Sequence, residues 1–197
     1  MIAIVDYGAG NLASVKKAFD HLQSPNLITH DPEEIRKAEK IVLPGVGHFA
    51  ATHMLESSGM REAISERIQH AVPFLGICVG MQWLLAGSAE ASGIRGMELW
   101  NEECGPFPQS VKSPHVGWNS LQIQERSSAL LRGVSSGAYV YFTHSYQVPL
   151  VRGTVATCEY GGVFSAVVER DNLFGVQFHP EKSGTVGLAI LKNFCEC

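Results

Sequence analysis

The apolar positions of the chain fall into short uninterrupted runs separated by amphipathic stretches. Ile2 to Val5 is apolar throughout and reads as a strand; after the turn-rich DYGAGN, Val15, Ala18, Phe19 and Leu22 recur at helical spacing. Asp31-Pro32-Glu33-Glu34 combines an N-cap, a proline at the first helical position and acids in the first turn, which predicts a short helix before the strand at 41–43. That strand runs into Pro44-Gly45-Val46-Gly47. Residues 49–71 then read as a helix broken near Gly59, with Ile64 and Ile68 on its inner face. The stretch 72–85, VPFLGICVGMQWLL, passes from strand formers (Phe74, Leu75, Ile77) to helix formers, from Met81 to Leu85. Residues 87–109 are rich in Gly, Ser, Glu and Pro without a sustained period and read mostly as loop. Beyond them the chain becomes β-rich. Residues 154–160 and 163–170 flank Gly161-Gly162, and Asp171-Asn172 leads into 173–178, so two successive hairpins are expected. A helix at 185–194, with Val186, Ala189, Ile190 and Phe194 on its apolar side, closes the chain.

Strands alternating with helices imply an α/β fold: an open, twisted, mostly parallel sheet with helices on both faces, to which the late hairpins add antiparallel strands. With 197 residues, 45% of them hydrophobic, the chain supports one well-buried core, and a single domain over 1–197 is expected. The formal charge of −4, without blocks of like charge, gives no footprint for nucleic acid or an anionic membrane, so small molecules and proteins are the expected partners. The N-terminus lacks the basic segment of a signal peptide, and 71–87 is short for a span and carries Pro73, Gln82 and three glycines, so it reads as core. Five scattered cysteines, including Cys195 and Cys197 at the tail, have no metal-ligand spacing and fit a reducing cytoplasm; no metal or cofactor is expected.

The chemistry centres on Cys78. Glycines two positions to either side, Gly76 and Gly80, and the switch from strand to helix formers make this a nucleophile elbow, in which a Cβ at a flanking position would collide with the turn. The thiol is then presented rather than buried, and a helix N-terminus there favours thiolate. The competing reading, a buried core cysteine, leaves the paired glycines without a purpose. A nucleophilic thiolate needs a base. His179 in FHPE has Glu181 two residues on, on the same side of an extended segment, where it can hold the imidazole tautomer. His48, His115 and His144 compete for that role, and none has a carboxylate two residues away. Glycines around Val46 let a peptide unit turn its N–H toward an oxyanion, with the N–H of Val79 as the second donor. A different class of function is suggested by Gly8, Gly10 and Ala13, which satisfy a dinucleotide fingerprint, with Asp31 about twenty residues on. Asp6 and Tyr7 intervene between the strand and the first glycine, and glycine loops after a first strand are common in open α/β sheets.

GICVGMQ, PGVG and FHPE, in that order and over essentially the whole length, resemble the class I, triad-type glutamine amidotransferases. Within that family DYGAGN, PGVGHF, PHVGWN, YFTHSY and QFHPEKS are similar to the branch whose glutaminases serve histidine biosynthesis. The resemblance implies that Cys78 attacks the side-chain amide of glutamine, that Gly47, Gln82, Ser145 and Tyr146 hold this substrate, and that ammonia passes to a (β/α)₈-barrel cyclase subunit. His115, Trp118 and Asn119 are then expected at or near the ammonia-delivering interface. A paralogue serving another synthase, for vitamin B6 or purines, and the dinucleotide-binding reading stand as alternatives.

Overall fold

The apolar runs become the inner strands of one sheet. In the computed structural model, which describes residues 1–197, β1 (Ile2–Val5), β3 (Lys40–Gly45) and β4 (Phe74–Cys78) are buried along almost their whole length. This is the pattern of parallel strands covered on both faces. Helices α1 (Leu12–His21), α2 (Pro32–Lys37), α3 (His53–Ser57) and α4 (Met60–Gln69) and the strand β2 (Asn26–Thr29) complete the first half. As the sequence predicts, Asp31 caps α2, its Oδ1 accepting from the Glu33 N–H at 2.9 Å, and Pro32 is the first helical residue. Such a cap is worth about 1 kcal/mol. The helix expected over 49–71 is broken at Gly59, at φ +78°, and its first four residues form a 3₁₀ turn.

The second half adds α5 (Val79–Gln82), β5 (Leu85–Ser88), β6 (Trp100–Pro106), β7 (His115–Ser120), β8 (Gln122–Ile123), β9 (Tyr139–His144) and β10 (Tyr146–Gln147). The chain ends with β11 (Thr154–Glu159), β12 (Val163–Arg170), β13 (Leu173–Val176) and α6 (Gly184–Cys195). The central sheet runs β2-β1-β3-β4-β13-β12-β11-β8, parallel from β2 to β13 and antiparallel beyond. From β1 the chain crosses one way to β2 through α1 and then back past β1 to β3 through α2. Right-handed crossovers in opposite directions put these helices on opposite faces. Accordingly α1 lies against α6, and α2 against α4. Two small sheets, β10-β6-β5 and β7-β9, stand apart from the large one. The buried apolar residues form one contiguous cluster, and no helix is long and apolar enough to cross a membrane.

One expectation is completed and one is corrected. The region 87–109 is mostly loop, as read from the sequence, but it also holds β6, which pairs in parallel with β5. Only Trp100 and Cys104 of β6 turn inward among exposed polar neighbours, so the strand has too few apolar anchors to show a period. The helix formers from Met81 to Leu85 make a single turn before the chain straightens into β5. Trp83, Leu84 and Leu85 are all fully buried. An apolar run of that kind has no helical face to read, and pairing with β6 overrides its propensity.

Candidate active site

The functional side chains gather at the carboxyl ends of three adjacent parallel strands, β3, β4 and β13, where ligands of open α/β sheets bind. At the end of β4, Cys78 adopts φ +54°, ψ −109°, a left-handed conformation that costs a non-glycine residue about 1–3 kcal/mol. The turn is pressed against β3. A Cβ on Gly80 would stand 1.9 Å from the Leu43 carbonyl oxygen, and one on Gly76 would stand 2.4 Å from that of Gly80. Gly45 is as tightly held, since its Cβ would meet the Val79 side chain at 2.6 Å and the Tyr7 hydroxyl at 2.8 Å. The two glycines of the motif and a third on the neighbouring strand thus let the nucleophile turn form at this spacing.

Because β13 pairs with β4 in register, Val176 against Ile77, the residues that follow β13 run past Cys78. They bring Gln177, which places Nε2 3.6 Å from the Cys78 Sγ, and His179. His179 Nδ1–H donates to Glu181 Oε1 at 2.9 Å, and both side chains are 1% exposed. A carboxylate only accepts, so Nδ1 carries a proton whether the ring is neutral or charged, and Nε2 is left to serve the thiol. Burial opposes the imidazolium, but the neighbouring Cys78 and the hydrogen-bonded Glu181 carboxylate outweigh it and raise His179 from 6.5 to about 10. The site therefore favours the imidazolium form of His179.

Cys78 faces a cleft of about 380 Å³, with Gln177 and His179 buried behind it. Val46, Gly47 and His48 form one wall, Cys78, Val79 and Gln82 its floor, and Thr143, His144, Ser145 and Tyr146 the opposite wall. The structure thus brings together Cys78 with the expected oxyanion residues Val46 and Val79 and the expected substrate residues Gly47, Gln82, Ser145 and Tyr146. Gly47 has φ +101° with open space around it, consistent with a hinge in this loop. The competing histidines are otherwise engaged. His48 is exposed and its Nδ1 accepts from the Ala50 N–H at 3.1 Å. His115 Nδ1 lies 3.1 Å from His144 Nε2, and His144 Nδ1–H donates to the Tyr146 carbonyl at 2.8 Å. The Asp31 carboxylate is committed to its helix cap, not turned to the glycine loop as a ribose ligand would be.

Of the residues expected at an interface, Trp118 is 55% exposed, whereas His115 is buried. Alternation along β7 turns His115 inward with Asn119, whose amide lies 3.4 Å from His115 Nε2 and also donates to the Glu159 carbonyl. His115 therefore lies beneath the surface that Trp118 presents. Two residues of the site were not anticipated. Glu90, from the loop after β5, lines the cleft and accepts from the Phe49 N–H at 2.7 Å; nothing in GSAEAS singles it out. Gln177 had a signal, because residues 177, 179 and 181 of an extended segment share a side.

A family model described as glutamine amidotransferase class-I matches residues 3–197, and the chain belongs to this family. The imidazole glycerol phosphate synthase subunit HisH of Moorella thermoacetica is 48% identical over 99% of this chain and 94% of its own length. That of Methanocaldococcus jannaschii is 44% identical over 100% and 99%. Among solved structures, one titled as a glutamine amidotransferase aligns with a TM-score of 0.78 at 16% identity, covering 100% of this chain and 98% of that one. The glutaminase domain of a Trypanosoma brucei CTPS aligns with a TM-score of 0.70 at 17% identity, over 99% and 93%. These two likenesses concern the fold.

Proposed function

We propose that the chain, as one amidotransferase domain over 1–197, is the glutaminase subunit of an imidazole glycerol phosphate synthase. The observation that carries this reading is the Cys78–His179–Glu181 arrangement, with Cys78 at the floor of the cleft and the other two buried behind it, in a chain 44–48% identical over its full length to relatives so named. Glutamine enters with its side-chain amide over Cys78. Ser145 and Tyr146 on one wall and Gly47 on the other position it, and the Glu90 carboxylate answers the charge of its α-ammonium group. The thiolate sulfur bonds to the amide carbon, and the oxygen takes up negative charge opposite the N–H groups of Val46 and Val79. His179 gives its proton to the departing nitrogen, so that ammonia leaves and a γ-glutamyl thioester remains. His179 then takes a proton from water, whose oxygen adds to the thioester carbon; the C–S bond breaks, glutamate departs and the sulfur returns to thiolate. Glu181 holds the ring throughout, as the acid of a triad does.

Ammonia released into water is protonated and lost, so a domain fully occupied by hydrolysis requires an acceptor. A (β/α)₈-barrel cyclase subunit fills that role in our reading. It uses the ammonia to form imidazole glycerol phosphate and an aminoimidazole carboxamide ribotide for histidine biosynthesis. Five free thiols suit a reducing cytoplasm. The deciding experiment measures glutamate release from glutamine by the chain alone and with the cyclase subunit and its nucleotide. The rate should be low alone and rise steeply on mixing, and Cys78→Ala should abolish glutamine-dependent synthesis while ammonia-dependent synthesis survives. A rate indifferent to the cyclase would assign the chain to another synthase, and loss of both syntheses in the variant would overturn the assigned roles.

A further inference from the structure

Helix α5 is a single turn, so its dipole adds little at Cys78, and a nucleophilic sulfur there needs a donor from elsewhere when it carries charge. Gln177 supplies one. It is fully buried, with Nε2 3.6 Å from the Cys78 Sγ. Which end of a glutamine amide is nitrogen follows from its partners, and here they allow one arrangement. The Tyr146 main-chain carbonyl can only accept, so Gln82 turns its nitrogen to it at 2.9 Å. The same nitrogen donates to Gln177 Oε1 at 3.2 Å. Turning Gln177 over would oppose donor to donor, so its own nitrogen is held toward the sulfur. The Tyr146 carbonyl is fixed in turn. It accepts from His144 Nδ1–H, which makes His144 Nε2 the acceptor for His115 Nδ1–H and His115 Nε2 the acceptor for the Asn119 amide. Each link has one sense, and the row leads from β7 to the nucleophile.

We propose that Gln177 is a catalytic residue whose Nε2–H donates to the Cys78 sulfur and stabilises its thiolate, with Gln82 and the His144–His115 pair as positioning residues that hold the amide in this sense. The proposal rests on the glutaminase reading for its purpose, though not for its test. Hydrogen bonds to an ionised acceptor strengthen as charge develops, so this one is stronger with thiolate than with thiol. The thiol has a different partner available, the Thr143 carbonyl at 3.8 Å. Other titratable groups facing the sulfur are His179 with Glu181 behind it, Tyr7 after β1, and Cys104 on β6; His144 lines the same cleft. None of them changes in the variants below.

The test is alkylation of Cys78 by iodoacetamide in the full chain, followed peptide by peptide so that Cys195 and Cys197 do not contribute. Gln177→Met, which keeps the volume and loses the donor, should react about tenfold more slowly at pH 7, and the two rates should converge by pH 10. Gln177→Glu, with an acceptor where the donor stood, should be slower still at pH 7. Rates equal to the parent's at pH 7, or lowered by the same factor at every pH as a misplaced sulfur would give, overturn the proposal. Should neither variant fold, the parent suffices: the Gln177 side-chain amide resonances must move when Cys78 is alkylated, and resonances that stay in place overturn it. Iodoacetamide needs neither glutamine nor a partner. A failure here leaves the glutaminase reading standing, and a parent chain that releases no glutamate leaves this hydrogen bond to be judged separately.

Discussion

His144, with the His179 imidazolium near it, and the adjoining His115 both remain neutral. Burial is the first cause in each, lowering His115 to about 4; for His144 the neighbouring His115 and His179 add to it, against the Tyr146 carbonyl, and bring it to about 3. Their surroundings are aromatic: the His115 ring stacks on Tyr160 at 4.0 Å and on Phe142 at 4.8 Å between centroids. An unfolded histidine titrates near 6.5. Between that value and about 4 the unfolded chain takes up protons that the folded chain refuses, so these two residues lower stability as pH falls through that window. His179 has the opposite sign, since its raised value adds stability that is complete below 6.5 and lost as pH rises through about 10. The expected result in an imidazole NMR titration from pH 8 to 5 is that both His115 and His144 keep the Nδ1–H tautomer without titrating, while the melting temperature declines toward pH 5. A midpoint near 6.5 for either ring would break the row of hydrogen bonds assigned above.

At the scale of elements, the active site is a consequence of how closely the turn after β4 lies on β3. The close contact at Gly80 is with main chain, the Leu43 carbonyl, which cannot rotate away. Gly80→Ala should therefore cost more than about 3 kcal/mol, visible as a loss of cooperative melting or a greatly lowered midpoint. Gly47→Ala is the contrast: nothing lies within 4 Å, and only its φ of +101° resists a side chain. Its cost should be local, about 1–3 kcal/mol, confined to the loop that our reading assigns to the oxyanion, so that glutamate release falls while the chain still melts cooperatively. Equal melting curves for the two variants would remove the close approach as the cause. Legibility in the sequence follows the same division. The elbow, the capped α2 and the hairpins of β11 to β13 are written in local chemistry, in Gly76 and Gly80, Asp31-Pro32 and Gly161-Gly162. Strand β6 and the end of α5 were not legible, because partners distant in sequence decide them. Glu90 was hidden for the same reason: only the fold carries its loop to the cleft.

For the whole molecule, the sheet β7-β9 joins the catalytic turn to the surface. Its inner face carries His115, Phe142 and His144; its outer face presents Val116, Trp118 and Tyr139, each more than half exposed, with Trp118 opposite Tyr141 and their rings 6.0 Å apart. The same strand grips the triad segment directly. The His179 N–H donates to the Tyr141 carbonyl at 2.9 Å, and the Tyr141 N–H donates to the Ser183 hydroxyl at 3.0 Å. In our reading a partner that covers this aromatic strip presses on the strand that positions His179, so that docking and catalysis would share one element. Exposed aromatic residues clustered with apolar neighbours have the composition of an interface anchor. In our reading of the function, Trp118 is that anchor for the cyclase subunit. Trp118→Ala should leave the melting temperature of the isolated chain unchanged, because the ring packs on the surface. It should weaken association with the cyclase by about 2 kcal/mol, roughly thirtyfold in Kd by titration calorimetry, and reduce the stimulation of glutamate release at subsaturating partner in step. An unchanged Kd would place the partner on another face and separate the aromatic strip from the delivery of ammonia.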